Sequence, residues 1–462
     1  MKVTTLQDLE TEEPTFKNCT ATRNACKLCT PLGACLVFRG IEGTIPFLHG
    51  SQGCSTYIRR YLISHFREPI DIAASNFSEE SAIFGGSSNF KAGVRNVVAQ
   101  YQPKMVAVAT TCLSETIGED MELMFHDYLK ESWFEGHPHL IKVSTPSYSG
   151  THIDGFHAAV RATVAGLALP GERTARVNVF PGMVSAADLR LLKEIVADFA
   201  LPCTLLPDYS ESMDGETWSE YEKLQSGGTP IVDIYASGSA QASIEFGRTL
   251  VDFKTAGRFL EERFNVPNRL LGMPIGIRET DAFFEALETL SGNPTPVKYT
   301  KERGRLVDAL IDGHKYVFEK RAIVYGEEDL VVGLASFLAE IGILPVLCAS
   351  GGKSGHLKES LHAVIPSLDE RTEIREGIDF AEIGELAESL KPDILIGNSK
   401  GYSLARKLGI PIVRVGFPIH DRIGGQRVLH LGYRGAQSLY DDIVNHLMDA
   451  KQTASPVGYS YL

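Results

Sequence analysis

Short β-rich runs alternate with longer helical patterns along almost the whole chain, and this alternation is the feature that most constrains the fold. Apolar runs such as MVAVATT (105–111) are typical of buried strands. Stretches such as SAADLRLLKEIVADFA have apolar residues three and four positions apart, as amphipathic helices do. Because this alternation produces parallel sheets covered by helices, we predict an α/β fold. The other predicted strands are RVNVFPG (176–182), CTLLPD (203–208), IVDIYAS (231–237), RAIVYG (321–326), LPVLCAS (344–350), DILIGNS (393–399) and PIVRVG (411–416).

Two segments rich in proline, glycine and charge, ALPGERTA (168–175) and SGNPTPVKYTKERG (291–304), divide the chain. With 462 residues the chain is too long for one core, so several domains are expected. We predict three Rossmann-like parallel-sheet domains flanked by segments without periodicity. Their predicted limits are an N-terminal arm at 1–25, domains at 26–170, 171–298 and 299–450, and a C-terminal tail at 451–462.

The charge balance excludes two classes of partner. The formal net charge is −13, whereas nucleic acids and anionic membrane surfaces attract clustered lysine and arginine. No run of about 18 apolar residues is present, so no membrane span is expected. The acidic start, MKVTTLQDLETEEP, does not resemble a signal peptide, and we expect a cytoplasmic protein.

Five of the eight cysteines fall within the first 54 residues, which is not the scatter of cysteines used only as core residues. Three stand beside small residues at predicted strand ends or turns: Cys29 in CTPLGA, Cys54 in HGSQGC and Cys112 in TTCLSE. Cys112 follows a predicted strand, whereas Cys29 and Cys54 are predicted in loops. Ser147 in TPSYSG is a fourth candidate ligand. Thiolates in such settings hold iron–sulfur clusters, so the pattern predicts redox chemistry at a metal cluster.

The CKLC sequence leaves two interpretations open. Cys26 and Cys29 form a CxxC pair with Cys19 upstream, and a zinc site would need a second pair nearby. Cys35 and Cys54 do not form one, so the pair is either structural or part of another metal site.

Two further motifs have structural and functional alternatives. SGGKSG (350–355) follows a strand, but Leu347 occupies the position of the first P-loop glycine, so we predict an ordinary loop. Asp308 and Asp312 lie four apart on a predicted helix, on a face that is either solvated or binds a hard cation. Glu68 in HFREP is a candidate third ligand.

GFPIHDRIGGQR (416–427) places several polar residues among glycines after a predicted buried strand. It is either a contact for a ligand, a reductase or a subunit, or an internal loop network.

Taken together, CTPLGA, HGSQGC, FREP, FGGSSN, TTCLSETIGED, TPSYSG, IGNS and GFP resemble the β-type subunit of nitrogenase component 1. The resemblance covers nearly the whole chain and includes the spacing of the three cysteines and the serine. It implies that Cys29, Cys54 and Cys112 ligate one half of a P-cluster-like [8Fe-7S] centre shared with an α-type subunit. Ser147 takes the place of a serine that adds a redox-dependent ligand.

The same resemblance implies the partners. Phe84 matches a residue near the docking surface for an ATP-dependent iron protein. Asp308 and Asp312, with Glu68 of another copy, match a divalent cation site between two β-type chains in an α2β2 heterotetramer. The substrate-reducing cofactor sits in the α-type subunit, which leaves this chain a non-catalytic electron-transfer role.

The resemblance also frames the alternatives. The C-terminal run is similar to nitrogenase-like reductases and to cofactor-assembly scaffolds, while the complete set of three cysteines favours a reductase. Methylthio-alkane reductase is the preferred example, and dinitrogen reduction is the other reductase activity. The alternative is an assembly scaffold for the iron–molybdenum cofactor, with a [4Fe-4S] cluster. Cys19, Cys26 and Cys35 have no place in the family's ligand set, and a zinc-stabilised structural protein would use Cys19, Cys26 and Cys29.

Overall fold

Three parallel sheets form the framework of the computed structural model, which describes residues 24–132, 136–220, 222–368 and 371–457. Every pairing between the named strands is parallel, so the α/β fold with three parallel-sheet domains is confirmed. The strand orders are β2-β1-β3-β4, β6-β5-β7-β8 and β11-β10-β9-β12-β13. The strands are β1 Thr44–His49, β2 Ala73–Ala74, β3 Met105–Thr110, β4 His139–Val143, β5 Val177–Phe180, β6 Cys203–Leu205, β7 Ala242–Phe246, β8 Asn268–Leu271, β9 Arg321–Gly326, β10 Leu344–Ser350, β11 Glu373–Glu376, β12 Ile394–Gly397 and β13 Ile412–Arg414.

Helices connect and cover these strands, as parallel sheets require. None of the helices in the described ranges has the length and apolar character needed to cross a membrane. The helices are α1 Thr30–Arg39, α2 Gln52–Phe66, α3 Glu79–Phe84, α4 Ser87–Tyr101, α5 Cys112–Thr116, α6 Met121–Ser132, α7 His152–Leu167, α8 Ala186–Asp198, α9 Ile231–Ala236, α10 Ala256–Phe264, α11 Arg278–Ser291, α12 Val297–Val317, α13 Glu328–Glu340, α14 Leu357–Val364, α15 Phe380–Leu390, α16 Tyr402–Leu408 and α17 Gly432–Ala454.

Helix α1 is buried along its whole length and packs against α7. A Cβ atom on Gly33 would lie 1.7 Å from the carbonyl oxygen of His152, and one on Gly155 would lie 1.9 Å from that of Thr30. The two backbones therefore touch, and only glycine fits at either position. This contact fixes the start of α1, where Cys29 lies, against the start of α7.

One predicted strand is wrong, and two helices extend into segments that the sequence analysis placed between or after the domains. IVDIYAS forms helix α9, in which Ile231 and Ile234 are buried and Val232 is exposed. Buried positions three apart suit a helix, and a short apolar run does not distinguish this from a strand. Helix α12 begins at Val297, inside the predicted seam at 291–304. Helix α17 continues to Ala454, so the segment predicted as a C-terminal tail begins within a helix.

Candidate metal centre

Cys29, Cys54 and Cys112 all lie at the N-terminal ends of helices. Cys29 caps α1, Cys54 is the third residue of α2, and Cys112 is the first residue of α5. The loop prediction for Cys54 is therefore wrong: Ser51 caps α2 by accepting a hydrogen bond from the Gly53 N–H at 3.3 Å, and the glycine belongs to the first helical turn. Helix N-termini carry partial positive charge and free N–H groups, which stabilise thiolates.

The sheet order brings three of the four candidate ligands together. Strands β1, β3 and β4 are adjacent and parallel, and Cys54, Cys112 and Ser147 follow their carboxyl ends. In open parallel sheets this edge is where ligands bind. Strand β1 is absent from the sequence-based prediction because its TIPFLH sequence contains Pro46, which cannot donate to a ladder.

Ser147 connects the cysteine segments. Its N–H donates to Cys112 Sγ at 3.3 Å, and its hydroxyl accepts from the N–H of Thr30, next to Cys29, at 3.1 Å. Burial raises the pKa of the Cys54 thiol, and the proximity of Cys29 and Cys112 raises it further. The structure therefore gathers all four candidate ligands into one group.

The donor set of this group fits an iron–sulfur cluster. All three thiols are free and partly exposed. Within the described ranges no three His, Cys, Asp or Glu side chains are placed to hold a single metal ion. A multi-iron cluster binds its thiolates through different iron atoms, so it does not need them to converge on one point. The iron ions of a bound cluster would also offset the repulsion between the three thiolates, which adds to burial in raising the Cys54 pKa.

Large, partly exposed apolar side chains stand close in sequence to three of the candidate ligands. Tyr57 is one turn after Cys54 on α2, Leu113 follows Cys112, and Tyr148 follows Ser147 with 66% of its surface exposed. We call Tyr57, Leu113 and Tyr148 the apolar rim. Exposed apolar residues grouped beside a functional site are typical of a protein–protein interface.

The other described cysteines near the N-terminus, Cys26 and Cys35, are buried and not partly exposed, although Cys35 lies close enough to Cys54 for that thiol to add to burial in raising the Cys35 pKa. Cys26 packs against Ile323 and Tyr325 in the core of the third domain, and burial raises its pKa to about 12. Cys35 is buried in α1, and burial raises its pKa as well. Cys19 lies outside the described residues. The burial of Cys26 among apolar side chains does not support the zinc alternative.

Phe84, predicted to lie at a docking surface, is the last residue of α3 and is 82% exposed. Behind it, the N–H of Gly86 donates to Glu119 Oε1 at 2.7 Å, and Glu119 Oε2 lies 3.2 Å from His49 Nε2. The sequence analysis missed His49 and Glu119 as functional candidates. Both stand in cysteine-bearing motifs, but only the fold shows that they meet.

The three predicted cation ligands do not meet within one chain. Asp308 and Asp312 lie one turn apart on α12, and both are exposed. Glu68 follows α2 and interacts with Gly215, Asp214 and Arg39; burial raises its pKa. This placement is compatible with the expectation that Glu68 comes from a second copy.

The SGGKSG segment is a loop between β10 and α14, as predicted. Its N–H groups are occupied by the protein's own carboxylates. Ser354 N donates to Glu328 Oε1 at 3.1 Å, while Gly355 N and Leu357 N donate to Glu376 Oε1 at 3.2 and 3.1 Å. The N–H groups of Ser354, Gly355 and Leu357 are therefore already paired within the protein and do not form a phosphate cradle.

In the 416–427 run, the structure favours the internal network for two residues. Asp421 forms a bidentate pair with Arg414 at 3.0 and 2.8 Å, and Arg427 lies 3.3 Å from Asp214. His420 and Arg422 remain exposed.

A cavity of about 310 Å³ with both polar and apolar walls lies at the carboxyl ends of β7, β9 and β10, against α7. The sequence analysis did not anticipate it. Its wall includes His152, Glu327, Glu328 and Lys353, with Phe246 and Phe253 among its apolar residues.

The fold and the gathered thiols define a class of protein: a multidomain α/β component of an iron–sulfur oxidoreductase. The sequence matches the family described as "Nitrogenase component 1 type Oxidoreductase" over residues 29–448, and the chain belongs to this family. Family membership implies iron–sulfur clusters in general, and the chain is a component of an oxidoreductase complex.

Curated relatives and a solved structure agree with this assignment. The nitrogenase molybdenum-iron protein beta chain of Clostridium pasteurianum is 34% identical over 428 residues, covering 92% of this chain and 93% of the relative. The nitrogenase vanadium-iron protein beta chain of Trichormus variabilis is 36% identical over 430 residues, covering 90% and 92%. The structure "Nitrogenase Cp1 at pH 6.5" has a TM-score of 0.93 at 33% identity, covering 96% of this chain and 98% of that chain. These likenesses support a β-type subunit of component 1.

Proposed function

We propose that this chain is the electron-relay subunit of a nitrogenase-like reductase and holds a P-cluster-like [8Fe-7S] centre together with an α-type subunit. One observation carries the proposal: Ser147 joins Cys112 to the start of α1 beside Cys54, so the ligand candidates form a single group that is open on one side. A closed site within one chain would bury its thiols. These thiols are partly exposed, as expected if a second chain completes the site.

The residues of this chain would hold and tune the centre. When bound, an iron–sulfur cluster supplies one-electron transfer. Cys29, Cys54 and Cys112 would ligate it from this side, and the N–H of Ser147 donates to one of the sulfurs. Hydrogen bonds to sulfur and the three helix N-termini stabilise negative charge on the thiolates, and such contacts set the reduction potential.

The surroundings of the thiols support the partners. The apolar rim would pack against the α-type subunit, which would carry the substrate-reducing cofactor. The exposed Phe84 would contact the ATP-dependent iron protein. Asp308 and Asp312 would bind a divalent cation with Glu68 of a second copy, joining two αβ pairs into an α2β2 heterotetramer.

Iron and acid-labile sulfide per αβ pair, with EPR of reduced and oxidised samples, test the proposal on anaerobically purified complex. We expect about eight irons at the subunit interface in addition to the partner's cofactor. About four irons there would favour the assembly scaffold, and a colourless complex would favour the zinc protein. Turnover with dinitrogen or with methylthio-alkanes then separates the two reductase activities.

A cysteine variant with a matched control tests the ligand assignment. Cys112→Ala should lose most of the interface iron and its EPR signal, because one thiolate ligand is removed. Cys203→Ala is the control: it makes the same change on β6, at a thiol whose pKa burial raises to about 12. This variant should keep both the interface iron and its EPR signal. Unchanged iron and an unchanged spectrum in Cys112→Ala would contradict the relay assignment.

A further inference from the structure

His49 and Glu119 form a buried pair between the surface around the exposed Phe84 side chain, called here the Phe84 surface, and the segments that carry Cys54 and Cys112. Their side chains are 0% and 4% exposed. Glu119 uses its two oxygens in two directions: Oε1 accepts from the Gly86 N–H at 2.7 Å, and Oε2 faces His49 Nε2 at 3.2 Å. One carboxylate therefore holds both the turn after Phe84 and the end of strand β1.

The backbone of His49 continues this connection to the thiols. Its carbonyl accepts from both the N–H and the hydroxyl of Thr111, at 3.2 and 3.1 Å. Thr111 caps the helix that begins with Cys112. A Cβ atom on Gly50 would lie 2.0 Å from the Thr111 hydroxyl oxygen, so the segments leading to Cys54 and Cys112 touch with no space between them.

The pair has little room to move independently of its surroundings. The His49 ring lies edge-on to Phe77 and Phe90, with centroid distances of 4.8 and 5.5 Å. A Cβ atom on Gly86 would lie 2.3 Å from the Phe77 ring. His49 Nδ1 is buried without a hydrogen-bond partner, and burial lowers the pKa of His49. The neutral ring therefore carries its proton on Nε2, and this N–H donates a hydrogen bond to Glu119 Oε2.

We propose that Glu119 and His49 are positioning residues that couple occupancy of the Phe84 surface to the geometry of the segments bearing Cys54 and Cys112. A partner that displaces Phe84 and Gly85 pulls on the Gly86 N–H. That N–H is bonded to Glu119, so the displacement reaches His49 and then Thr111. Packed contacts of this kind transmit small shifts because dense interiors do not absorb them. The inference rests on the proposed function, since it takes the iron protein as the occupant.

Amide hydrogen exchange on the whole αβ complex, with and without iron protein and a non-hydrolysable ATP analogue, tests the coupling. In the wild-type complex we expect docking to slow exchange about tenfold, both at the 83–86 turn and in the 112–119 segment. In Glu119→Ala the turn should still be protected, because Phe84 is intact. The protection of 112–119 should be lost, and docking should no longer change the EPR spectrum of the interface cluster.

The matched control is Glu115→Gln, which lies on α5, four residues before Glu119 and in the same 112–119 segment. Glu115 Oε1 accepts from the hydroxyls of Thr110 and Ser144, both at 2.5 Å, and has no bond to the Phe84 turn. This variant should keep protection at both segments. A general loosening of the 112–119 segment would instead affect Glu115→Gln and Glu119→Ala alike, which would overturn the proposal.

His49→Phe decides the matter if Glu119→Ala does not fold. It preserves the ring between Phe77 and Phe90 and removes only the N–H donor to Glu119, so protection should persist at 83–86 and fall at 112–119. Wild-type-like protection at 112–119 in either variant overturns the coupling. If the wild-type complex has an interface cluster but docking leaves 83–86 unprotected, the coupling fails while the relay assignment stands. Absence of the cluster itself would refute the proposed function.

Discussion

The first and third domains are both built on a parallel sheet, but the segments at the carboxyl ends of their strands differ. We call these two regions the first and the third edge. In the first domain the helices after β1 and β3 begin at or next to Cys54 and Cys112, and these thiols remain partly exposed beside an apolar rim. In the third domain the loop after β10 is closed by Glu328 and Glu376, which accept from its N–H groups. A parallel sheet thus offers several candidate ligand sites. The first edge offers partly exposed thiols as ligands, whereas at the third edge the protein's own carboxylates pair with N–H groups of the loop.

The largest effect should come from breaking the contact that holds the first of these edges together. Gly155→Ala would place a Cβ atom 1.9 Å from the Thr30 carbonyl oxygen and force α1 and α7 apart. We expect a loss of about 3 kcal/mol or more in the free energy of unfolding, because neither backbone can yield cheaply. Cys29 and Ser147 would separate, so the interface iron should fall as well.

Thermal unfolding and iron content measure the two consequences. Gly304→Ala is the control, since a Cβ atom there meets nothing within 4 Å on helix α12. It should be neutral or stabilise by up to about 1 kcal/mol. If Gly155→Ala is as stable and as rich in iron as Gly304→Ala, the close contact does not position the first edge.

The sequence predicts several of the buried strands, but it does not predict which distant residues the fold brings together. Buried runs such as MVAVATT predict strands correctly because both faces of a parallel strand are apolar. The meeting of Cys54 and Cys112 depends on strand order, which no local pattern encodes. The same holds for His49 and Glu119, which are 70 positions apart. The glycines of HGSQGC predict a turn, and with it a loop at Cys54, because a serine such as Ser51 occurs in loops as well as at helix starts.

A pH-dependent effect of intermediate size should sharpen the contrast with the third edge. Burial raises the pKa of Glu328 from 4.5 to about 7. The folded state therefore binds this proton more tightly than the unfolded state, and the resulting stability is present below about pH 4.5 and lost as the pH rises through 7. Between these limits the wild-type protein should lose about 2 kcal/mol that Glu328→Gln does not lose.

Denaturant unfolding at several pH values measures the difference, and Glu385→Gln, an exposed position on α15, is the control. The interface iron should be unchanged in Glu328→Gln, because this edge has no role in the centre. If the free energy of unfolding changes with pH in the same way for wild type and Glu328→Gln, the pKa of Glu328 is not raised by burial. A loss of iron would show that the two edges are not independent.

The smallest effect should come from Ser147, and it distinguishes a ligand from a structural bridge. Ser147→Ala removes the acceptor for the Thr30 N–H but keeps the N–H that donates to Cys112 Sγ. The lost hydrogen bond should cost about 1 kcal/mol. The iron should be retained, since all three thiolates remain.

If the Ser147 hydroxyl binds iron only after oxidation, the EPR spectrum of oxidised Ser147→Ala should change while that of the reduced sample stays the same. Ser149→Ala, two residues away, removes only a bond to the Pro146 carbonyl and should change neither spectrum. Equal changes in both redox states of Ser147→Ala would mean that the serine acts through the position of α1 and not as a ligand. The ligands at the first edge would then be the three thiols alone.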